Sequence, residues 1–208
     1  EAAIEEGIEI NEPDSLDDYS GQFKLKIPKS ALVVGHVGRF NVQKNHEYLL
    51  HVFEELYKKD RNTYLVLVGT GEKIDEIKDL VKKSTIRDNV IFTGVIDNVA
   101  DYLSAFDVML LPSLYEGLPM VVIEWQIAGL PCIVSDTVTK ECAITPLVKF
   151  KSIKESPESW ARNIIDISLQ DREKSKDVLF SSIRKAGYDI EFGAERLRNI
   201  YFGLTKTV

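Results

Sequence analysis

Asp107 to Asp136 reads DVMLLPSLYEGLPMVVIEWQIAGLPCIVSD, and the reading of this stretch decides the fold. Two short apolar runs, Val108–Leu111 and Cys132–Val134, have the length and composition of strands buried on both faces. The segment between them carries helix punctuation at both ends. Pro119 suits a first helical position, Gly129 suits the residue just past the end, and Pro131 prevents continuation. A strand, loop, helix, strand unit of this kind belongs to a doubly wound α/β sheet. Packing does not account for two of its residues. Glu116 stands in a Tyr-Glu-Gly-Leu-Pro loop at the carboxyl end of a strand, and Glu124 stands inside an otherwise apolar helix. Ligands of open α/β sheets bind at that edge.

The same alternation continues upstream. Ala31–Val37 and Tyr64–Val68 are buried strands, and Val90–Thr93 is a third. Between the first two, Tyr48, Leu49, Val52, Phe53, Leu56 and Tyr57 keep one apolar stripe at helical period, with Asn45 placed to cap the helix. Ile74, Ile77, Leu80 and Val81 alternate with charges over 73–83, as in an amphipathic surface helix, and 99–106 reads as a short one. About five alternations predict a Rossmann-like parallel sheet covered on both faces. Downstream, Trp160, Ile164, Ile165 and Ile167, then Val178 and Ile183, then Phe192, Leu197, Ile200 and Tyr201 predict two or three closing helices. Residues 1–29 are acidic and irregular and read as a connector, leaving 30–208 as the domain. A chain that opens on Glu1 rather than Met reads as processed or excised.

Composition narrows the function classes. The 208 residues are 44% hydrophobic and 28% charged, as expected of a globular protein. A net charge of −7 argues against a nucleic-acid partner, which needs a basic face. No apolar run approaches the roughly 20 residues of a membrane span, and no secretory signal opens the chain. Cys132 and Cys142 lack metal spacing and read as reduced, packed thiols of a cytoplasmic protein. His36, His46 and His51 do not cluster for metal, and His36, inside a strand, reads as a satisfied core histidine. Gly-x-Ser-x-Gly, Walker and zinc motifs are absent, which removes the commonest hydrolase and NTPase readings.

Several loops after strands meet on one sheet edge: Gly38-Arg39, Gly69-Thr70-Gly71, Gly94 and Gly117. Glycines there let backbone N–H groups approach a ligand, although tight strand-to-helix turns alone also select glycine. Together they point to a nucleotide crevice. Arg39 and Lys44 flank one of the loops and would offset a diphosphate; the alternative is two solvated surface cations. Glu116 and Glu124 are spaced to grip two parts of an elongated ligand through vicinal hydroxyls. Helix-dipole stabilisation is the alternative for Glu116, and a buried salt bridge the alternative for Glu124. The helix start around Gly117 and Leu118 is also an anion site.

In combination, Gly38-Arg39 with Gln43-Lys44-Asn45, Leu67-Val68-Gly69-Thr70-Gly71, Phe92-Thr93-Gly94, Asp107 through Leu111-Pro112-Ser113-Leu114-Tyr115-Glu116-Gly117-Leu118-Pro119 to Glu124, and Ala128-Gly129-Leu130-Pro131 resemble the C-terminal half of retaining GT-B glycosyltransferases of group 1 (GT4). Five motifs in order cover about residues 30–145, and the nearest pattern is that of capsular and exopolysaccharide members. Gly7-Ile8-Glu9 resembles the entry to this half.

The resemblance implies a hexosyltransferase of class EC 2.4 acting with retention on a UDP- or GDP-linked donor, without metal or other cofactor. It implies Arg39 and Lys44 on the diphosphate, Glu124 on the ribose, and Glu116 on the donor sugar. Gly117, Leu118 and Pro119 would lie against sugar and phosphate, and backbone at Gly94, Val95 and Ile96 against the base. Arg39, Lys44 and Glu116 would be the catalytic group. A glycan or lipid-linked acceptor would be held by an N-terminal half, so the chain alone would bind donor without turnover. The full-length protein would be cytoplasmic, peripheral at the membrane. Trp125-Gln126-Ile127 and Val138-Thr139-Lys140 depart from the pattern. The competing functions are a GT-B epimerase or phosphorylase, and a nucleotide-sugar-binding domain that does not transfer.

Overall fold

A computed structural model of the chain describes residues 25–96, 99–168 and 176–188, together with Ala194, Arg198, Asn199, Tyr201 and Phe202. Strands β1 (Leu32–Val37), β2 (Thr63–Val68), β3 (Val90–Gly94), β4 (Val108–Leu111), β5 (Cys132–Ser135) and β6 (Val148–Lys151) form one sheet in the order β3-β2-β1-β4-β5-β6. Every pairing is parallel. The expected Rossmann-like α/β fold is therefore present, with one strand more than the sequence reading found. Val148-Lys149-Phe150-Lys151 alternates apolar with charged residues, as an edge strand does, rather than forming a continuous apolar run.

The helices are α1 (His46–Lys59), α2 (Ile74–Lys83), α3 (Ala100–Leu103), α4 (Met120–Ile127), α5 (Pro157–Ser168) and α6 (Lys176–Lys185). Strand residues alternate between two cores. Val34, Leu65, Leu67, Val108 and Leu110 meet Leu49, Val52, Phe53 and Leu56 of α1 and Trp160 and Ile164 of α5. Val33, Val66, Val68, Met109 and Leu111 meet Val122 and Trp125 of α4 on the other face. Double coverage is why these strands are apolar at nearly every position. Asp107 ties the start of β4 to β1: its Oδ2 accepts from the Val33 N–H at 2.8 Å, and its N–H donates to the Val33 carbonyl at 2.8 Å.

Two local expectations change. Pro119 is the N-cap of α4 in extended backbone (ψ 96°), one residue before the helix, because Pro119 offers its carbonyl to the Val122 N–H. Asn45 precedes α1 in the left-handed region (φ 55°) and makes no side-chain cap; Asn41 instead accepts from the Lys44 N–H at 3.1 Å. Ile27, in the expected connector, is buried in the second core, and residues 1–24 of that connector lie outside the described ones. Two closing helices, α5 and α6, are present. Phe192, Leu197 and Ile200 of the last expected stripe lie outside the described residues.

Trp125, a departure from the family pattern, is fully buried. Gln126 beside it is buried and stitches α4 to the 142–145 segment. Its Nε2 donates to the carbonyls of Val122 (2.9 Å) and Cys142 (2.7 Å), and its Oε1 accepts from the N–H groups of Ile144 (3.0 Å) and Thr145 (2.9 Å).

Candidate functional site

Strand order reverses between β1 and β4, the position at which open α/β sheets bind ligands outside the carboxyl ends of their strands. The loops leaving the carboxyl ends of β1 and β4, 38–45 and 112–119, meet there. Lys44 Nζ donates to Glu116 Oε1 at 2.6 Å, with both side chains largely buried (13% and 9% exposed). Ser113 Oγ donates to the same oxygen at 2.8 Å, and Gln43 Nε2 donates to Oε2 at 2.8 Å. Gln43 also gives Nε2 to the Tyr115 carbonyl (3.0 Å) and takes the Leu114 N–H on its own carbonyl (2.8 Å). Asn45 Nδ2 donates to the Pro112 carbonyl at 3.1 Å. Three consecutive residues, Gln43, Lys44 and Asn45, thus grip the loop after β4. From the next strand, Thr137 Oγ1 donates to the Ser113 carbonyl at 2.9 Å.

Two of the three expected catalytic residues, Lys44 and Glu116, are therefore in direct contact, and Lys44 is not a solvated surface cation. Arg39 is elsewhere: it is 72% exposed and pairs with Glu72 at 3.3 Å. Glu124 is exposed and its side chain makes no hydrogen bond or ion pair among the described residues, which removes the buried salt bridge as an explanation. The helical period puts Met120 (50% exposed) and Ile127 (42%) on its face of α4.

The glycines divide into two kinds. Gly38 N–H donates to the Val68 carbonyl (3.0 Å) and Gly69 N–H to the Gly94 carbonyl (2.9 Å), so both groups serve the loops themselves. A Cβ on Gly69 would lie 2.2 Å from the Gly38 carbonyl oxygen, and one on Gly71 would lie 2.4 Å from the Phe40 carbonyl oxygen. Their small size allows backbone to pack on backbone. A Cβ on Gly38 would lie 3.1 Å from Lys44 Cε, so that glycine makes room for the lysine stem. Gly94 and Gly117 face open space. Val95 (74% exposed) and Leu118 (40%) are open to the same edge, while Pro119 is buried beneath it.

Below Lys44 lie two buried imidazoles, His36 and His46, with ring centroids 4.8 Å apart and edge to face. His36 Nδ1 donates to the Leu110 carbonyl at 2.8 Å, which leaves Nε2 as a lone pair. That Nε2 and both His46 nitrogens are buried without a partner among the described residues, so His36 is only half the satisfied core histidine the sequence suggests. Burial, and then the neighbouring His46, hold His36 well below the usual histidine range. Burial, and then the Lys44 charge, lower His46 to about 4. Both rings are neutral near pH 7, which leaves Lys44 as the cation of the cluster. Among the described residues no group of three or more His, Cys, Asp or Glu is placed to hold a metal ion, and no helix is long and apolar enough to cross a membrane.

Gln43 and Ser113 carry no role in the sequence reading. The only sequence signal for Gln43 is a carboxamide placed directly before Lys44 in a loop after a strand.

The sequence model of glycosyl transferases group 1 matches residues 20–179. This chain belongs to that family. The glycosyltransferase EpsF of Bacillus subtilis (strain 168) is 35% identical over 176 residues, which are 84% of this chain and 46% of EpsF. HepE of Anabaena, solved with UDP and glucose, superposes with a TM-score of 0.69 at 17% identity over 90% of this chain and 52% of HepE. The C-terminal domain of the group 1 glycosyltransferase LpcC of Francisella tularensis superposes with a TM-score of 0.62 at 18% identity over 79% of this chain and 90% of that domain. At these identities the superpositions establish the fold, that of GT-B glycosyltransferases. This group 1 chain spans about half the length of EpsF and of HepE.

Proposed function

We propose that this chain is the nucleotide-sugar-binding half of a retaining GT4 glycosyltransferase. In this reading the whole protein moves a hexose or N-acetylhexosamine from a UDP- or GDP-linked donor to a glycan or lipid-linked acceptor in capsular or exopolysaccharide assembly. One observation carries the reading: an inner lysine and glutamate meet at the carboxyl ends of β1 and β4, where the strand order reverses. Lys44, with Arg39 reaching in from the rim, offsets the charge that grows on the departing diphosphate. No metal or other cofactor is called for in this scheme. Glu116 accepts from hydroxyls of the donor sugar, and the exposed, unengaged Glu124 accepts from the ribose. N–H groups around Gly117 and Leu118, at the start of α4, face the diphosphate, and Gly94, Val95 and Ile96 face the base.

Transfer with retention breaks the bond from C1 to the phosphate oxygen and forms a bond from C1 to the acceptor oxygen on the same face. The acceptor hydroxyl's proton passes to the departing phosphate oxygen. The UDP and glucose bound by HepE and the fit to an isolated C-terminal domain support the donor and half-molecule parts of this reading. The acceptor then belongs to the remainder of a longer, cytoplasmic protein peripheral at the membrane, and this chain alone binds nucleotide without transfer.

Calorimetric titration with UDP and GDP tests the reading. Heat with one of them is expected, with at least ten-fold weaker binding by Lys44→Met and weaker binding by Arg39→Ala, as loss of a charge-assisted contact requires. No heat with either nucleotide sinks it, and parent-like affinity of Arg39→Ala removes Arg39 from the diphosphate site.

A further inference from the structure

We propose that Gln43 is a positioning residue of the donor site, holding the Glu116 carboxylate by Oε2 so that it stays at the sugar when a diphosphate draws Lys44 away. This rests on the donor-site reading above. Glu116 receives hydrogen bonds from Lys44, Ser113 and Gln43. Lys44 and Ser113 share Oε1, and Gln43 alone among the described residues takes Oε2.

These donors respond differently to an incoming anion. The ammonium is a mobile point charge, and the more highly charged diphosphate competes for it. The Gln43 carboxamide is neutral and gains far less from phosphate, so its bond to Glu116 persists through binding. Its geometry also resists displacement. The same Nε2 donates to the Tyr115 carbonyl and the Gln43 carbonyl accepts from Leu114, so one residue pins Leu114, Tyr115 and Glu116 in succession. A cation at position 43 would hold Glu116 as well but would itself turn to the diphosphate. A carboxylate there would repel Glu116. Glutamine satisfies both conditions.

The consequence is a separation of duties that affinity measurements can read. Lys44 governs binding of the nucleotide diphosphate, whereas Gln43 governs the extra affinity that the sugar adds. The experiment compares UDP with UDP-glucose and UDP-N-acetylglucosamine, and GDP with GDP-mannose, by calorimetry on the parent chain and on Gln43→Leu. Expected is nucleotide affinity within about two-fold of parent, together with nucleotide-sugar affinity about ten-fold weaker, the loss one hydrogen bond to a charged group produces. Gln43→Met, uncharged and matched in length, shows the same split, so the result does not hang on how leucine packs. Parent-like affinity for the nucleotide sugar in both variants overturns the proposal. So does equal weakening of nucleotide and nucleotide sugar, which marks a merely structural role. If the parent binds none of these compounds, the donor-site reading fails, and this inference fails with it.

Discussion

At the scale of single residues, Lys44 and Glu116 make the site what it is. Each leaves water and is compensated by the other, and the Glu116 carboxylate also by Ser113 and Gln43. Removing one partner strands the other, so Lys44→Met and Glu116→Gln should each cost about 1–3 kcal/mol of stability. The double variant should cost clearly less than the sum, because the two changes break one interaction. Urea denaturation of the four proteins of the cycle measures this; additivity would mean that the pair contributes nothing to folding. The imidazole beneath it makes a prediction in pH. His46 titrates at about 4 in the fold, against 6.5 when unfolded. The unfolded chain therefore binds more protons between these values, and stability is lost as pH falls from about 6.5 towards 4. At pH 5 this one group costs about 2 kcal/mol. His46→Phe, which keeps a ring on Phe40, should flatten the decline in denaturation midpoint between pH 7 and pH 5.

At the scale of elements, the carboxyl edge is built by loops packed backbone against backbone. Gly69 sits at φ 128° with the Gly38 carbonyl where its Cβ would go. Gly69→Ala should therefore destabilise by about 3 kcal/mol or more. Gly117, with nothing within 4 Å of a Cβ, should accept alanine within about 0.5 kcal/mol. Thermal unfolding separates the two, and equal melting points would show that the loops can part. The elements also mark where one-dimensional reading stops. Buried strands and amphipathic helices declare themselves because their periodicity is local. β6 does not, because an edge strand is half solvated and its four residues look like any charged loop. Asn45 looks like a helix cap from its neighbours, yet its side chain is drawn to the Pro112 carbonyl, 67 residues away.

At the scale of the whole molecule, one sheet separates two cores, and each holds one of the two tryptophans, Trp160 on one face and Trp125 on the other. If both cores fold as a single unit, the remaining tryptophan's fluorescence and the far-UV circular dichroism should share one urea midpoint in Trp125→Phe and again in Trp160→Phe. Separate midpoints would divide the domain. The amino-acid sequence by itself determined the parallel α/β class, most of the elements, and the residue types gathered at one sheet edge. Hydrophobic period and helix punctuation act between near neighbours and can be read one segment at a time. Family membership was legible too, since its motifs follow one another along the chain. Only the tertiary structure decided how those residues are used. It joined Lys44 to Glu116 and left Glu124 unengaged at the surface. It gave Arg39 to Glu72 and turned Gly69 into packing space. Each of these depends on which strands became neighbours. That pairing is set by burial over the whole sheet, and it brings together at hydrogen-bond distance residues such as 44 and 116, which are 72 apart in sequence.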